Sequence, residues 1–314
     1  MTGRRLTRRM MVISGPLAAG LAGMAGAGVV RAQEATTFTA DSHRRGLQTV
    51  AIMINGAGPY AFALDTAANT SVIARDLAVS LGLPDAGEAT MHTLLAPEPA
   101  SLVRAGRLRA GALDARDVRL VMADRDGLSG VDGLLGSDLL AGLRLVFDFR
   151  GQARTSIARS RRSSGRTYGR VRLQAGAPPE TAAERRFNGL LLLDAMVGDL
   201  PCKVIVDTGS TVTVINSALA REAGAERVVL EDGSDTGRVV SPTGRAADAE
   251  VRLMRGFKLG PVQFGAVPTL VGDFHTFTLW GLADQPALLM GMDLMGLFQT
   301  VTIDLGRSEV LLQP

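Results

Sequence analysis

One segment of the sequence occurs twice, and this repetition limits what the chain can fold into more than any other feature. The copies are YAFALDTAANTSVI at residues 60–73 and CKVIVDTGSTVTVI at residues 202–215. Each places an Asp-Thr pair directly after a run of mostly apolar residues and soon returns to apolar residues. Self-similarity of this kind indicates that one structural unit is duplicated within the chain.

The similarity continues on both sides of the repeated segment. Before each copy, two apolar runs flank a turn rich in Gly, Pro, Asn or Asp, which predicts a β-hairpin. After each copy comes a short helical pattern that ends at Gly. Further landmarks follow in the same order in both halves: a strand, a Gly turn and a second strand (106–125 and 251–273), then Gly-x-Asp-Leu and a last strand (133–152 and 288–307). We therefore predict two copies of one mostly-β unit.

The order of these landmarks predicts how the chain is divided. We expect a signal peptide at 1–32, an N-terminal tether at 33–46, an N-terminal lobe at 47–157, a linker at 158–186 and a C-terminal lobe at 187–314. The connecting segment is rich in Arg, Ser, Gly and Pro, which is typical of a solvated connection rather than of a polyanion site. A strand within it, at YGRVRLQ (168–174), is an alternative that would contribute to a sheet between the lobes.

The first 32 residues have the layout of an export signal. They combine a basic start, an uncharged stretch rich in Gly and Ala, and the small-x-Ala site VRA at 30–32. The segment TRRMM at 7–11 resembles a twin-arginine motif, while an ordinary secretory signal and an uncleaved anchor are the alternatives. We predict an exported protein, periplasmic or extracellular, in which residues 33–46 are either a short propeptide or only a tether.

Composition limits the partners and cofactors. The leader holds five of the 34 basic residues and none of the 31 acidic ones, which leaves 29 basic against 31 acidic residues. This near balance, with aromatic residues at 4%, argues against nucleic-acid binding. The single Cys202 allows no internal disulfide, and three His with one Cys offer few ligands for zinc. We expect no metal, no cofactor and no membrane attachment once the signal is removed.

The repeated Asp-Thr pair places a carboxylate on a tight turn that is backed by the core. A carboxylate in such a position is costly unless it is hydrogen-bonded or functional. In two lobes related by a pseudo-two-fold axis, Asp65 and Asp207 would face each other, and two carboxylates that close share one proton. The ionised member can then act as general base on a water molecule while the protonated member polarises a scissile carbonyl.

Four short segments also carry a resemblance to a known family: Asp65-Thr66-Ala67-Ala68-Asn69, Asp207-Thr208-Gly209-Ser210-Thr211, Leu134-Leu135-Gly136 and Leu289-Met290-Gly291. With them the chain resembles the aspartic proteases, specifically the retropepsin-like group with two units fused in one chain. A lone Asp-Thr-Gly is a weak signal, but two such motifs, each with a preceding hairpin and a downstream apolar-apolar-Gly segment, are a strong one. The resemblance covers roughly residues 47–157 and 187–314.

The resemblance implies an all-β, bilobal acid-protease fold made of two retropepsin-like β-barrel lobes with short helices. It implies an aspartic endopeptidase that acts as a monomer on peptide or protein substrates. The site residues that it implies are the catalytic Asp65 and Asp207, the loop-bracing Thr66 and Thr208, the active-site turn residues Ala67, Ala68, Gly209 and Ser210, and Gly136 and Gly291 of two ψ-shaped loops.

Members of the family project a Gly-containing hairpin, the flap, over the substrate from each unit. The matching segments are 92–106 and 231–247. Neither contains Tyr, which favours a retroviral type of flap that binds an extended peptide through backbone hydrogen bonds. We expect His92, beside the first flap, to be a surface histidine rather than a general base.

Ala67 stands where the family usually has Gly, and this leaves alternatives open. If φ at this position is positive, the Cβ is costly, and if φ is negative it is not. One alternative is therefore a catalytically impaired pseudo-protease that acts as an exported peptide-binding protein. Another is a structural envelope protein in which the flaps fill the cleft.

Three polar residues around the turns give further expectations. Ser210 has a hydroxyl where lobe one has Ala68, which predicts that Asp207 is the more readily ionised and that Asp65 carries the shared proton. Asp138 and Asp293 each open a short helical segment, so we expect them to be N-caps rather than catalytic acids.

Overall fold

The structure is a computed structural model that describes residues 46–151, 153–160, 171–174, 190–230 and 233–313. The predicted signal peptide lies outside the described residues, as does the predicted tether up to residue 45. Most of the predicted linker lies outside them too. Among the residues that are described, no helix has the length and hydrophobicity needed to cross a membrane.

Lobe one is built on a closed barrel. Its strands run in the order β1-β2-β7-β3-β6-β5-β4, and β1 pairs again with β5, so that six strands form a ring with β4 outside it. The elements are β1 (Thr49–Ile54), β2 (Ala57–Leu64), β3 (Val72–Ala74), α1 (Arg75–Ser80), β4 (Asp85–His92), β5 (Pro97–Ala110), β6 (Leu113–Ala123), a 3₁₀ helix (Arg125–Leu128), β7 (Gly133–Leu135) and α2 (Ser137–Leu140).

The first hairpin of this lobe shows how the sequence sets its own turns. Asn55 and Gly56 separate β1 from β2, and both have left-handed backbone angles, with φ of 50° and 90°. A two-residue turn with positive φ at both positions matches the twist of the flanking strands, and Asn-Gly is the residue pair that adopts it most readily. The predicted hairpin before Asp65 is thus confirmed.

Lobe two repeats most of these strand pairings in a ten-stranded sheet that forms a half-barrel, so the predicted closed barrel is found in lobe one and not in lobe two. Its order is β14-β16-β19-β13-β20-β12-β11-β17-β18, with β15 paired to β16. The elements are β11 (Leu192–Val197), β12 (Leu200–Val206), β13 (Val214–Ile215), α3 (Ser217–Glu222), β14 (Glu226–Arg227), β15 (Thr236–Val240), β16 (Ala246–Met254), β17 (Phe257–Leu259), β18 (Val262–Gln263), β19 (Val267–Val271), α4 (His275–Leu279), β20 (Ala287–Met290) and α5 (Met292–Met295).

The two lobes share their crossover connections. In lobe one β2 lies parallel to β7 and β3 lies parallel to β6. In lobe two β12 lies parallel to β20 and β13 lies parallel to β19. The central strands β3 and β13 also pair antiparallel with β7 and β20. The all-β, bilobal fold predicted from the duplication is confirmed.

A third sheet joins the lobes. It has the order β10-β22-β21-β8-β9, made of β8 (Leu143–Asp148), β9 (Arg154–Arg159), β10 (Val171–Gln174), β21 (Thr300–Asp304) and β22 (Glu309–Gln313). The alternative of a strand within the connecting segment is therefore correct, because β10 pairs with β22. One hydrophobic cluster runs from lobe one through Leu145, Phe147 and Val301 of this sheet into lobe two.

Candidate active site

Both predicted catalytic aspartates stand at the ends of buried strands. The last three residues of β2 and of β12 are inaccessible to solvent, and Asp65 and Asp207 follow them directly. The Asp65 N–H donates to the carbonyl of Leu135 at 2.9 Å, and the Asp207 N–H donates to the carbonyl of Met290 at 3.0 Å. Strands β7 and β20 thereby fix the backbone of each aspartate from the side.

Gly136 and Gly291 lie where the chain passes beneath each active-site turn. The residue after each glycine donates its N–H upward, from Ser137 to the Ala68 carbonyl and from Met292 to the Ser210 carbonyl, both at 2.8 Å. A Cβ at Gly291 would lie 2.5 Å from the Val212 carbonyl oxygen, and one at Gly136 would lie 3.0 Å from the Ala68 carbonyl oxygen. Both positions need glycine because backbone approaches backbone there.

Thr66 and Thr208 hydrogen-bond across the boundary between the lobes. The Thr66 hydroxyl donates to the Val206 carbonyl at 2.6 Å and accepts the Thr208 N–H at 3.1 Å. Reciprocally, the Thr208 hydroxyl donates to the Leu64 carbonyl at 2.7 Å and accepts the Thr66 N–H at 3.2 Å. Both threonines are buried. Each hydroxyl thus satisfies two backbone groups of the two active-site turns.

The carboxyl groups of Asp65 and Asp207 line the same cleft, and that of Asp65 lies against Gly209, two residues after Asp207. Asp65 Oδ1 accepts the N–H groups of Ala67 at 3.1 Å and Ala68 at 2.8 Å, and Asp207 Oδ1 accepts the Gly209 N–H at 2.8 Å. Burial raises the pKa of both carboxyls above the usual range for aspartate. The pair therefore holds a proton more firmly than two separate surface aspartates would.

The surroundings of the two carboxyls differ, but the position of the shared proton stays a prediction. Burial raises the pKa of Asp207 well above its usual value, and the neighbouring Asp65 charge raises it further. Burial raises the pKa of Asp65 too. Backbone N–H groups lower the pKa of both carboxyls, those of Ala67 and Ala68 at Asp65 and those of Gly209 and Ser210 at Asp207. The Ser210 hydroxyl, expected to stabilise an ionised Asp207, instead donates to the Val212 carbonyl at 2.7 Å.

Ala67 and Gly209 occupy matching positions in the two turns but meet different surroundings. Within the described residues, Asn55, Asp117, Ser129 and Ser308 are the non-glycine residues with left-handed φ, so Ala67 has no such strain. Its side chain packs beside a hydrophobic cluster of lobe two. At Gly209, by contrast, a Cβ would lie 2.5 Å from Asp65 Oδ2 and 2.7 Å from Asp65 Oδ1. Only the second turn needs glycine for space.

Asp138 is not an N-cap, contrary to the expectation from the sequence. The cap position of α2 is Gly136, and no side chain bonds there as a cap. Asp138 accepts both the N–H of Ser71 at 3.1 Å and its hydroxyl at 2.7 Å, and that hydroxyl accepts the Gly136 N–H at 3.0 Å. The carboxylate therefore ties the segment after the active-site turn to the loop beneath it.

Lobe two contains the same network with Asp293, which is likewise not an N-cap. Asp293 accepts the Thr213 N–H at 2.9 Å, the Thr213 hydroxyl at 2.8 Å and the Leu294 N–H at 2.9 Å. The Thr213 hydroxyl accepts the Gly291 N–H at 3.2 Å. Burial raises the pKa of Asp293 to about 6. Sequence reasoning missed Ser71 and Thr213, although a hydroxyl residue stands six positions after each of the two predicted catalytic aspartates.

Two hairpins cover the dyad. We call β4, β5 and the turn 93–96 the lobe-one flap, and β15, β16 and the turn 241–245 the lobe-two flap. The lobe-one flap begins at Asp85, so the predicted segment 92–106 covered its turn but missed its first strand. The turn of the lobe-two flap lies within the predicted segment 231–247, of which residues 231 and 232 lie outside the described residues.

The space between the flaps and the dyad is a cleft with mostly apolar walls. Its apolar lining includes Leu47, Val72, Leu128, Leu134, Val212 and Leu289. Thr93 and Leu94 of the lobe-one flap and Ser241 and Pro242 of the lobe-two flap line its upper side. Such a cleft can hold an extended chain between two strand hairpins whose backbone groups serve as hydrogen-bond partners.

Groups suited to metal binding or nucleophilic catalysis are sparse in the described part of the chain. No three His, Cys, Asp or Glu side chains cluster there in a way that could hold a metal ion. Cys202 is buried in β12, and burial raises the pKa of its thiol to about 12. This thiol stays protonated at neutral pH and packs as a small apolar side chain.

Comparisons with known proteins found a matching family model and similar solved structures. A family model described as aspartyl protease matches residues 50–139 and 193–294. Among solved structures, the aspartic proteinase from Irpex lacteus matches with 15% sequence identity and a TM-score of 0.48, over 86% of this chain and 95% of the other. No curated protein matches the sequence. Because the family model spans both lobes and more than half of the chain, the chain belongs to the aspartyl protease family.

Proposed function

We propose that this chain is an aspartic endopeptidase in which Asp65 and Asp207 activate one water molecule to hydrolyse peptide bonds. The observation that carries the proposal is that these two carboxyls line one cleft beneath two flaps, on turns that Thr66 and Thr208 tie to each other. Membership of the family and the bilobal fold support a protease function. The proposal adds which residues perform the chemistry.

In the proposed reaction the ionised Asp65 acts as general base. It takes a proton from a water molecule held between the carboxyls while the water oxygen attacks the carbonyl carbon of the peptide. Asp207 donates its proton to the carbonyl oxygen, which gives a neutral gem-diol. Asp65 then returns a proton to the amide nitrogen as the C–N bond breaks, and Asp207 takes one from a hydroxyl group of the gem-diol. The products are a carboxylic acid and an amine.

The proposed roles of the other site residues follow from their contacts. Thr66 and Thr208 brace the two turns through their reciprocal hydrogen bonds. Gly136 and Gly291 let the ψ-shaped loops pass beneath the turns, and Ala68 contributes an N–H to Asp65. Ala67, whose φ is not left-handed, gives no support to the alternative of an impaired peptide-binding protein.

The proposal includes the setting in which the enzyme acts. An export signal at residues 1–32 would place it in the periplasm or outside the cell. Both lobes come from one chain, so a single copy supplies both aspartates and we propose a monomer. Its substrates would be peptides or proteins that enter the cleft in extended form.

A peptide library incubated with the chain from acid to neutral pH tests the proposal. We expect cleavage by the wild type and its loss in both Asp65→Asn and Asp207→Asn, with a bell-shaped pH profile because the pair must hold one proton. The matched control is Asp138→Asn, which we expect to retain cleavage. Retention of cleavage in either dyad variant would contradict the assignment, and peptide binding without cleavage by the wild type would support the pseudo-protease instead.

A further inference from the structure

The turn of the lobe-one flap rests on lobe two rather than on its own lobe. The Thr276 N–H in α4 donates to the Leu94 carbonyl at 3.4 Å. Leu94 and Leu95 pack against a hydrophobic cluster of lobe two that contains Phe277 and Trp280. The flap is therefore held closed by contacts that it must lose before a substrate can enter from above.

Beside these contacts, one pair of histidines joins the flap to lobe two. His92 is the last residue of β4, and His275 is the first residue of α4. His92 Nδ1 lies 2.9 Å from His275 Nε2, and the two rings stack with centroids 5.2 Å apart. The expectation that His92 is a surface histidine was wrong, because its ring is half-buried against the other lobe. The two histidines are 183 positions apart in the chain, so the sequence around either one gives no signal that they pair.

The lobe-two flap reaches across the cleft in the same manner but without a titratable side chain. Its turn meets the 3₁₀ helix of lobe one, where a Cβ at Gly127 would overlap the Pro242 carbonyl and lie 2.9 Å from the Gly244 nitrogen. This contact is close packing of backbone against backbone. The two flaps are thus each docked on the opposite lobe, and only the lobe-one flap has an imidazole pair at its contact among the described residues.

We propose that His92 and His275 are positioning residues that hold the lobe-one flap closed while at least one imidazole is neutral, and that protonation of both releases the flap from lobe two. This inference rests on the proposed function, because it concerns access to the dyad. It extends that function by proposing that the pH of the medium controls the access of substrate to the dyad.

The chemistry of the contact sets the number of protons involved. Two neutral rings, or one neutral and one charged ring, can share one N–H···N hydrogen bond. Two charged rings present only donors, and like charges 2.9 Å apart repel each other. The flap contact should therefore survive the first protonation and fail at the second.

Burial of the contact and the charge of His92 lower the pKa of His275. The charged groups on neighbouring elements are Glu98 of β5, which Thr93 contacts at 3.5 Å, Asp273 before α4, Arg238 of the lobe-two flap, and Asp65 and Asp207 on the cleft floor. None of these neighbouring groups changes the pKa of His275 as much as burial and the charge of His92 do. A closed state with a lowered pKa binds fewer protons than an open state. Closure is thus fully favoured above about pH 6.5, the ordinary value for histidine, and weakens as the pH falls below it.

The chain contains a single tryptophan, and it lies at this contact. Trp280 follows α4, is 9% exposed, lines the cleft and belongs to the cluster that receives Leu94 and Leu95. Its fluorescence therefore reports the position of the flap without any need for enzymatic activity. We would record its emission maximum and its quenching by acrylamide from about pH 7.5 to about pH 4.5, a range that spans the titration of histidine.

We expect the emission of the wild type to shift to longer wavelength and its quenching to rise on acidification. The transition should be lost in His92→Gln and also in His275→Gln, since neither variant can place two charges at the contact. His43→Gln, at the one other histidine of the chain, should keep it. Either His92→Gln or His275→Gln is sufficient for the test if the other variant does not fold. Far-UV circular dichroism identifies a variant that has not folded. A transition unchanged in both variants, or no transition in the wild type, would overturn the proposal.

The same titration in the Asp65→Asn/Asp207→Asn double variant separates this inference from the proposed function. The double variant has no titrating dyad, so a transition that persists there belongs to the histidines and not to the aspartates. If peptides are not cleaved but the transition persists and depends on His92 and His275, the flap contact stands and the protease proposal fails. If peptides are cleaved but the fluorescence transition is unchanged by both histidine substitutions, the protease proposal stands and the flap contact fails.

Discussion

The two active-site turns differ most at their third residue, which is Ala67 in lobe one and Gly209 in lobe two. The carboxyl of Asp65 presses against Gly209, where a Cβ would lie within 2.7 Å of both carboxyl oxygens. Ala67 has its own Cβ and packs beside apolar residues of lobe two. The comparison teaches that a duplicated site does not need the same residue twice, because the two carboxyls do not approach the opposite turns in the same way.

Gly209→Ala should break this asymmetry with the largest effect. The added Cβ must displace the Asp65 carboxyl, and a displacement of about 1 Å at a reacting group can reduce the rate by about 10²-fold. We expect kcat/KM for a cleaved peptide to fall by at least that factor. The matched change Ala67→Gly should lower the rate little and reduce the free energy of unfolding by at most about 1 kcal/mol. Equal losses in both variants would contradict the comparison.

Asp293→Asn should reveal a second difference between the lobes, which is how much the carboxyls of Asp293 and Asp138 each make the free energy of unfolding depend on pH. Asp293 is buried and its pKa is raised to about 6, whereas burial raises the pKa of the more exposed Asp138 without so large a shift. A carboxyl whose folded pKa lies above its unfolded value stabilises the fold when protonated. This contribution is present below about pH 4 and is lost as the pH rises through about 6, which amounts to about 3 kcal/mol.

Urea unfolding between about pH 4 and pH 7 measures this response. The wild type should lose free energy of unfolding as the pH rises through this window, and Asp293→Asn should reduce that slope. Asp138→Asn is the matched change in lobe one and should reduce the slope less, because burial raises the pKa of Asp138 by a smaller amount. A slope that is unchanged by Asp293→Asn would show that another group causes the pH dependence.

The threonines should show the smallest effect and no difference between the lobes. Thr66→Val and Thr208→Val each leave one buried N–H and one buried carbonyl without their partner, which costs about 1–3 kcal/mol of the free energy of unfolding. We expect similar losses in both variants, and a double variant that loses less than the sum because the hydroxyls act on one shared network. As a control, Thr66→Ser keeps the hydroxyl and should retain most of the stability. Clearly unequal losses in Thr66→Val and Thr208→Val would show that only one turn depends on the reciprocal hydrogen bonds.

Much of the fold could be predicted because it is written in local patterns that occur twice. The Asn55-Gly56 turn, the apolar runs that end at Asp65 and Asp207, and the apolar-apolar-Gly segments all carry their own backbone requirements. Duplication then supplies the long-range information, since two copies of a half-site must meet around an axis. This is why both carboxyls line one cleft although 142 residues separate them in the sequence.

The details that failed all depend on which of several partners a polar group selects. The Ser210 hydroxyl was expected to bond the Asp207 carboxyl but bonds the Val212 carbonyl of its own turn, which depends on a local rotation that composition does not reveal. Asp138 and Asp293 stand where an N-cap is common, yet hydroxyls from the opposite side of each loop take their oxygens. A pairing across the lobes, such as that of His92 with His275, is set by docking and not by any periodicity.

The sheet between the lobes has a consequence for how the chain is made. Strand β8 has β9 on one side and β21 on the other, with Leu145 opposite Ile303. Synthesis delivers β8 long before β21, so during that interval β8 has an open edge with unpaired backbone groups. Pairing at such a sequence separation is a late and slow event in folding. The two aspartates therefore meet only after most of the polypeptide exists, and the order of assembly itself delays completion of the proposed catalytic site.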